Sequence, residues 1–202
     1  MSNIVPVSIE VLRGAALSPQ LEELARLRIS VFRDWPYLYD GDLDNERGYL
    51  KAFSKSKSAM MVLARAQTSD GPVVVGVSTA MALVEESPSI RGPFAAAGHN
   101  VSQWYYLAES VLLNQYRGRG LGHTFFDERE AAGTRAGFRK FTFCAVQRSS
   151  DDPRRPAQVR ALEPFWRQRG YAPLGCACTL RWKEVGSDAP TQQTLQFWGR
   201  SV

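Results

Sequence analysis

Apolar residues first recur at helical spacing over Leu21, Leu24, Ala25, Val31 and Phe32. Ser18-Pro19 stands ahead of them, and Glu22 and Glu23 lie in the first turn. A hydroxyl cap, a proline in the first turn and acids near the positive dipole end predict an amphipathic helix that stops near Asp34. The next stretch, Trp35-Pro36-Tyr37-Leu38-Tyr39-Asp40-Gly41, joins three large aromatics to turn-forming residues and reads as a loop. Its aromatics either cap the core or wall a substrate pocket. A short helix over residues 45–53 follows.

Residues 59–66 and 73–84 are apolar runs of strand length joined through Asp70-Gly71-Pro72, which predicts an antiparallel hairpin. Residues 87–98, rich in Ser, Pro and Gly, read as a loop. Residues 104–113 form a third strand, apolar on both faces except at Glu109 and Ser110, so it belongs in the middle of a sheet. Residues 121–136 carry an inward stripe of Leu121, Phe125, Ala132 and Ala136, weakened by Arg129 beside it, and read as a helix ended by Gly137. A strand over 138–146 then returns, and a right-handed crossover makes it parallel to the third strand. A short helix over 164–169 ends at Gly170, and strands over 171–184 and 194–198 close the chain as a hairpin. The fold class is α/β (α+β), a mixed central sheet of six to seven strands flanked by helices in one domain over residues 1–202.

Composition narrows the function classes. With 44% hydrophobic and 22% charged residues, the sequence has the balance of a globular domain. Residues 1–10 lack a basic leader and an unbroken apolar run, so a cytoplasmic protein with no membrane partner is expected. Cys144, Cys176 and Cys178 suit reduced thiols, and His99 and His123 have no metal-ligand spacing, so no metal is expected. The net charge of +5 favours anionic partners without choosing among them.

The choice comes from Gln115-Tyr116-Arg117-Gly118-Arg119-Gly120-Leu121-Gly122-His123, set between a strand and a helix. Glycines there let the backbone turn sharply, and amides at a helix start lack internal partners while the dipole favours an anion. With Arg117 and Arg119 adding charge, the turn is suited to a pyrophosphate. It is not a P-loop, since no Gly-Lys-Ser/Thr follows, and it lacks the spacing of a dinucleotide fingerprint.

The segment Gln115-Tyr116-Arg117-Gly118-Arg119-Gly120 resembles the (Gln/Arg)-x-x-Gly-x-(Gly/Ala) signature of the GNAT superfamily of N-acetyltransferases, and the order of elements around it matches. The resemblance implies acetyl-CoA as cosubstrate. Arg117, Gly118, Arg119, Gly120, Leu121, Gly122 and His123 would hold the pyrophosphate, and Val111, Leu112 and Leu113 would face the pantetheine arm. It further implies transfer of an acyl group to a primary amine of a small molecule or peptide in a ternary complex.

An amine resembling a lysine side chain is mostly protonated at neutral pH, so a base is useful. Glu109, the acid of the central strand, is the expected base; the competing reading is an ion pair with an arginine or a place at a sheet edge with no chemical role. Trp35, Tyr37 and Tyr39 are the expected acceptor-binding residues. Trp166 stands where relatives carry the tyrosine that protonates the departing thiolate, leaving Tyr171, a loop tyrosine or unassisted departure. Cys144 reads as a small buried hydrophobe. Two other readings stay open: an acyl-CoA-binding domain without catalysis, and a basic nucleic-acid-binding module, for which no recognised motif is present. A homodimer is compatible with the sequence.

Overall fold

In the computed structural model residues 5–202 are described, so part of the stretch read for a leader, residues 1–4, lies outside the described residues. Eight strands make one sheet: β1 (Val7–Arg13), β2 (Met60–Thr68), β3 (Gly71–Ala82), β4 (Trp104–Tyr106), β5 (Ser110–Leu112), β6 (Lys140–Val146), β7 (Ala172–Lys183) and β8 (Pro190–Ser201). Their order is β1-β2-β3-β4-β6-β8-β7, with β5 paired to β3 alone. Five α-helices flank it: α1 (Leu21–Phe32), α2 (Leu43–Ser54), α3 (Pro88–Ala96), α4 (Leu121–Arg135) and α5 (Glu163–Gln168). The β4–β6 pair is parallel, as the crossover rule requires, and the other pairs are antiparallel.

One sheet face carries α4 and α5 over Val62, Val75, Tyr105, Leu107, Phe141 and Trp198. The other carries α1 and α2 over Met61, Leu63, Val77 and Val111. Beyond them α3 covers Trp104, Tyr106, Cys144 and Phe197.

Several expectations are corrected. Ser18 and Pro19 lie in a 3-10 helix over Gly14–Gln20, and α1 begins at Leu21 with no side-chain cap. The α2 helix does have its cap: the Asp42 carboxylate accepts from the amides of Asp44 and Asn45. Residues 88–96, read as a loop, form α3; Pro88 fits the first turn, and Ile90 and Phe94, one turn apart, are buried. Burial of that pair, with Phe94 edge-on to Trp104 and Phe197, overrides the Pro and Gly content. The edge strand β1 went unread because it is short, only half-buried, and carries Glu10 and Arg13 among its apolar residues.

Arg129 is the largest surprise in α4. It is fully buried, and its guanidinium donates to the carbonyls of Phe125, Thr79 and Glu109. Burial pushes its pKa down to about 10. The helix approaches the sheet closely at Gly133, where a Cβ would stand 2.7 Å from both Phe141 Cε1 and Tyr105 Cδ1. Gly133→Ala therefore sets a helix-propensity gain of about 1 kcal/mol against overpacking of about 1–3 kcal/mol by two rigid rings. We expect net destabilisation in urea melts; a variant more stable than wild type would contradict this packing.

Candidate functional site

The site begins where the third strand breaks. Expected as one element over 104–113, it is split into β4 and β5, because Ala108 and Glu109 both face Thr79. The Ala108 amide donates to the Thr79 carbonyl, the Glu109 amide to the Thr79 hydroxyl, and the Thr79 amide to the Glu109 carbonyl. Two residues opposite one is a β-bulge, which bends the strand and breaks the ladder.

Up to the bulge the chain is held to β6, with the Leu107 amide donating to the Thr142 carbonyl. Past it, β5 pairs only with β3. On the other side β6 pairs with β8 as far as Val146. A wedge therefore opens between β5 and the end of β6. Backbone groups of an antiparallel strand point alternately to its two sides. The Glu109 carbonyl and Leu113 amide are spent on Thr79 and Val75 of β3, so alternation turns Ser110 and Leu112 toward the wedge. Of Val111, Leu112 and Leu113, only Leu112 thus offers its backbone there, and its carbonyl accepts from Arg117 Nε at 3.2 Å.

The glycine-rich turn follows at once. Gly118 and Gly120 have φ of +76° and +82°, the left-handed region, and nothing lies within 4 Å of a Cβ at either. Glycine is needed there for conformation rather than for space. Gly120 precedes the fifteen-residue α4, and its carbonyl accepts from the amides of His123 and Thr124. Among the described residues no carbonyl accepts from the amides of residues 118–122, which stand at the positive end of α4. Arg119 lies over the Tyr116 ring. Burial lowers the pKa of Arg117, with Asp34 opposing that shift. His123 packs edge-on to Phe165 and lies 3.3 Å from an Arg169 nitrogen. The turn and α5 are thus tied together on the α4 face.

Acidic residues gather on the opposite face. Glu109 is buried, and its Oε1 accepts from Arg28 Nη1 and Tyr49 Oη, both at 2.6 Å. Its Oε2 accepts from the Thr79 hydroxyl. Arg28 also bonds buried Glu46 at 2.5 Å. Burial opposes the charge of Arg28, but Glu109 and Glu46 outweigh it and hold its pKa above the ordinary value. Glu109 thus lies inside the site and pairs with an arginine, with both oxygens engaged.

Sequence reasoning missed Glu86, which fell between the strand ending at Val84 and the loop beginning at Ser87. It is buried at 6% exposure and its Oε1 accepts from the Ser87 amide at 2.7 Å. Burial, and then Glu109, raise its pKa.

The expected acceptor residues lie along one loop. Tyr37 stacks on Phe32 and Trp182, with centroids 4.2 and 5.8 Å away, and burial raises its pKa. Its carbonyl accepts from Trp182 Nε1 and Arg148. Tyr39 pairs with Glu184 by a lone bridge, and burial followed by Glu46 raises its pKa. Trp35 lies under Arg148, 6.0 Å from its guanidinium. Tyr37 and Tyr39 pack against the core beside Phe32, as the core-capping reading expects.

Trp166 packs against Phe143 and Trp198 on the α4 face. Tyr171, offered as its substitute, is buried with its hydroxyl donating to Glu130 at 2.7 Å. Cys144 is a buried thiol 2.9 Å from the Tyr106 hydroxyl, and its hydrogen bond with Cys178 and then burial raise its pKa.

Removing one partner of a buried ion pair leaves the other uncompensated, at a cost of about 3–5 kcal/mol. For Glu109→Gln we expect about 3 kcal/mol, the low end, because Glu46 still faces Arg28. A urea midpoint equal to wild type would show that the pair does not hold α1 to the bulge.

Neither the comparison with protein-family models nor that with curated proteins finds a match. Solved structures do match. An N-acetyltransferase from Staphylococcus aureus Mu50 is similar with a TM-score of 0.58 at 11% identity, over 97% of this chain and 98% of that one. A GCN5-related N-acetyltransferase from Kribbella flavida has a TM-score of 0.56 at 16% identity, over 97% and 98%. An aminoglycoside N-acetyltransferase in complex with CoA has a TM-score of 0.50 at 16% identity, over 84% and 87%. At these identities the likeness speaks to architecture, and the chain has the fold of the GNAT N-acetyltransferases.

Proposed function

We propose that the protein transfers an acyl group, acetyl in the first instance, from coenzyme A to a primary amine by direct attack in a ternary complex. The observation that carries this is the wedge between β5 and β6, opening beside a helix start whose amides have no acceptor. A diphosphate fits the amides of residues 118–122, with Arg117 and Arg119 beside them, because the left-handed turn leaves those amides without acceptors and no protein atom stands over Gly118 or Gly120. The pantetheine arm then lies in the wedge as a surrogate strand, meeting the backbone of Ser110 and Leu112. One neighbour of the same fold is a complex with CoA.

With the pantetheine arm alongside β5, the thioester comes to lie near the bulge. The acceptor enters past Trp35, Tyr37 and Tyr39. Its ammonium gives up a proton, the nitrogen lone pair attacks the thioester carbonyl carbon, and the C–N bond forms. The C–S bond breaks with its electron pair on sulfur, and the second amine proton neutralises the thiolate. A thiol of pKa about 8.5 leaves without a strong acid, so Trp166 in place of a tyrosine does not block the reaction. Glu109, the base expected from the sequence, accepts the ammonium proton only by releasing the Tyr49 or Thr79 hydrogen bond, so the scheme requires a buried carboxylate of the acidic face without fixing it on Glu109.

Trp166 favours one second reading, an acyl-CoA-binding domain without turnover; release of free thiol with amine present separates the two.

Acetyl-CoA at about a hundred times its dissociation constant adds about 2.7 kcal/mol, which for a chain of this size raises the melting temperature by about 5–10 °C. Gly120→Asp sets a carboxylate against the diphosphate and is expected to abolish the rise. Gly122→Ala, whose Cβ meets only Phe165 Cζ at 3.8 Å, is expected to keep it. A normal rise in Gly120→Asp would overturn the diphosphate assignment.

A further inference from the structure

The acidic face holds three buried carboxylates, Glu46, Glu86 and Glu109. Arg28 is the cation that bonds two of them: Glu46 accepts from it through Oε2, and Glu109 has both oxygens engaged, by Arg28 and Tyr49 on one and Thr79 on the other. Glu86 differs. Its Oε2 is buried and has no hydrogen-bond partner among the described residues. An unpaired carboxylate oxygen in a closed, tyrosine-rich surrounding is costly unless a donor reaches it.

We propose that Glu86 Oε2 receives the ammonium of the acyl acceptor, making Glu86 the catalytic base and the acceptor a primary amine that arrives as a cation. The inference rests on the acyl-transfer reading above and names a base that is free where Glu109 is engaged. In the step, one N–H proton of the ammonium passes to Glu86 Oε2, which leaves the nitrogen lone pair for the thioester carbon. After the C–S bond breaks, Glu86 returns its proton to solvent.

The surroundings fit this role. Glu86 follows β3, and its field reaches Tyr106 on β4 and Tyr49 on α2, while Glu109 at the bulge and Arg28 on α1 act on it in turn. Cys144 on β6 and Cys178 on β7 also lie in its field. The tyrosines are held protonated, Tyr49 and Tyr106 both raised first by burial, so they offer rings and hydroxyls to an arriving amine rather than charge. Aromatic faces beside an anion suit an ammonium on a short arylalkyl arm. The oxygen is closed to solvent, so the amine reaches it only when the side chains over it turn aside. Such tightening and opening on substrate binding is common for catalytic groups.

The raised pKa gives a separate signature. A carboxyl whose pKa is higher folded than unfolded lends stability that is present at low pH and is lost as pH rises through the folded value. Glu86→Gln keeps the acceptor for the Ser87 amide and removes the charge. Its melting temperature at neutral pH is therefore expected to equal or exceed that of wild type, the opposite of Glu109→Gln.

The test is calorimetric titration of the full chain, saturated with coenzyme A, with phenethylamine and with its uncharged counterpart 2-phenylethanol. Wild type is expected to bind the amine at least about tenfold more tightly than the alcohol, and Glu86→Gln to lose that preference. Both proteins are expected to bind coenzyme A equally. A wild type that does not prefer the amine, a Glu86→Gln variant that keeps the preference, or one that melts below wild type would each overturn the assignment. Loss of coenzyme A binding by wild type would instead sink the acyl-transfer reading, so the two failures are told apart.

Discussion

The structure depends on a single misfit, Ala108 and Glu109 set opposite Thr79. A regular strand would have zipped β5 to β6 and closed the sheet. The extra residue is fixed from both faces by arginines, one buried and one largely so. Arg129 of α4 holds the main-chain carbonyls of Thr79 and Glu109, while Arg28 of α1 holds the Glu109 carboxylate. Each guanidinium is charged in a place that disfavours charge, so each is committed to those partners. The irregularity is thus a built feature of the sheet, and the wedge is its geometric consequence.

The two faces meeting at the wedge have opposite electrostatic character. On one side, the start of α4 presents amides and arginines; on the other, the carboxylates of Glu46 on α2, Glu86 after β3 and Glu109 at the bulge are buried. A ligand that carries phosphate at one end and delivers a carbonyl at the other can bridge them. That division follows from local rules, helix dipole and left-handed glycine on one face and buried ion pairing on the other.

Much of this was legible in the sequence. The hairpin of β2 and β3, the crossover through α4 and the turn at 115–123 each announce themselves through periodicity and glycine placement. What stayed hidden was non-local. The bulge has no sequence mark, because Leu107, Ala108 and Val111 continue an apolar run whatever the register. Arg129 looks like a flaw in an apolar stripe until its carbonyl partners, fifty and twenty residues away in sequence, are in place. Glu109 was readable as special, but its partner Arg28, 81 residues distant, was not. Glu86 was passed over because α3, which follows it, is helical through the burial of Ile90 and Phe94 rather than through its own propensity.

The central claim is that the α4 amides and the wedge together hold the donor. A crystal structure with coenzyme A tests it most directly. The account requires diphosphate oxygens within about 2.7–3.2 Å of backbone nitrogens in residues 118–122 and the pantetheine arm alongside Leu112. A diphosphate lodged elsewhere, with the β5–β6 gap crossed by no part of the ligand, would contradict it.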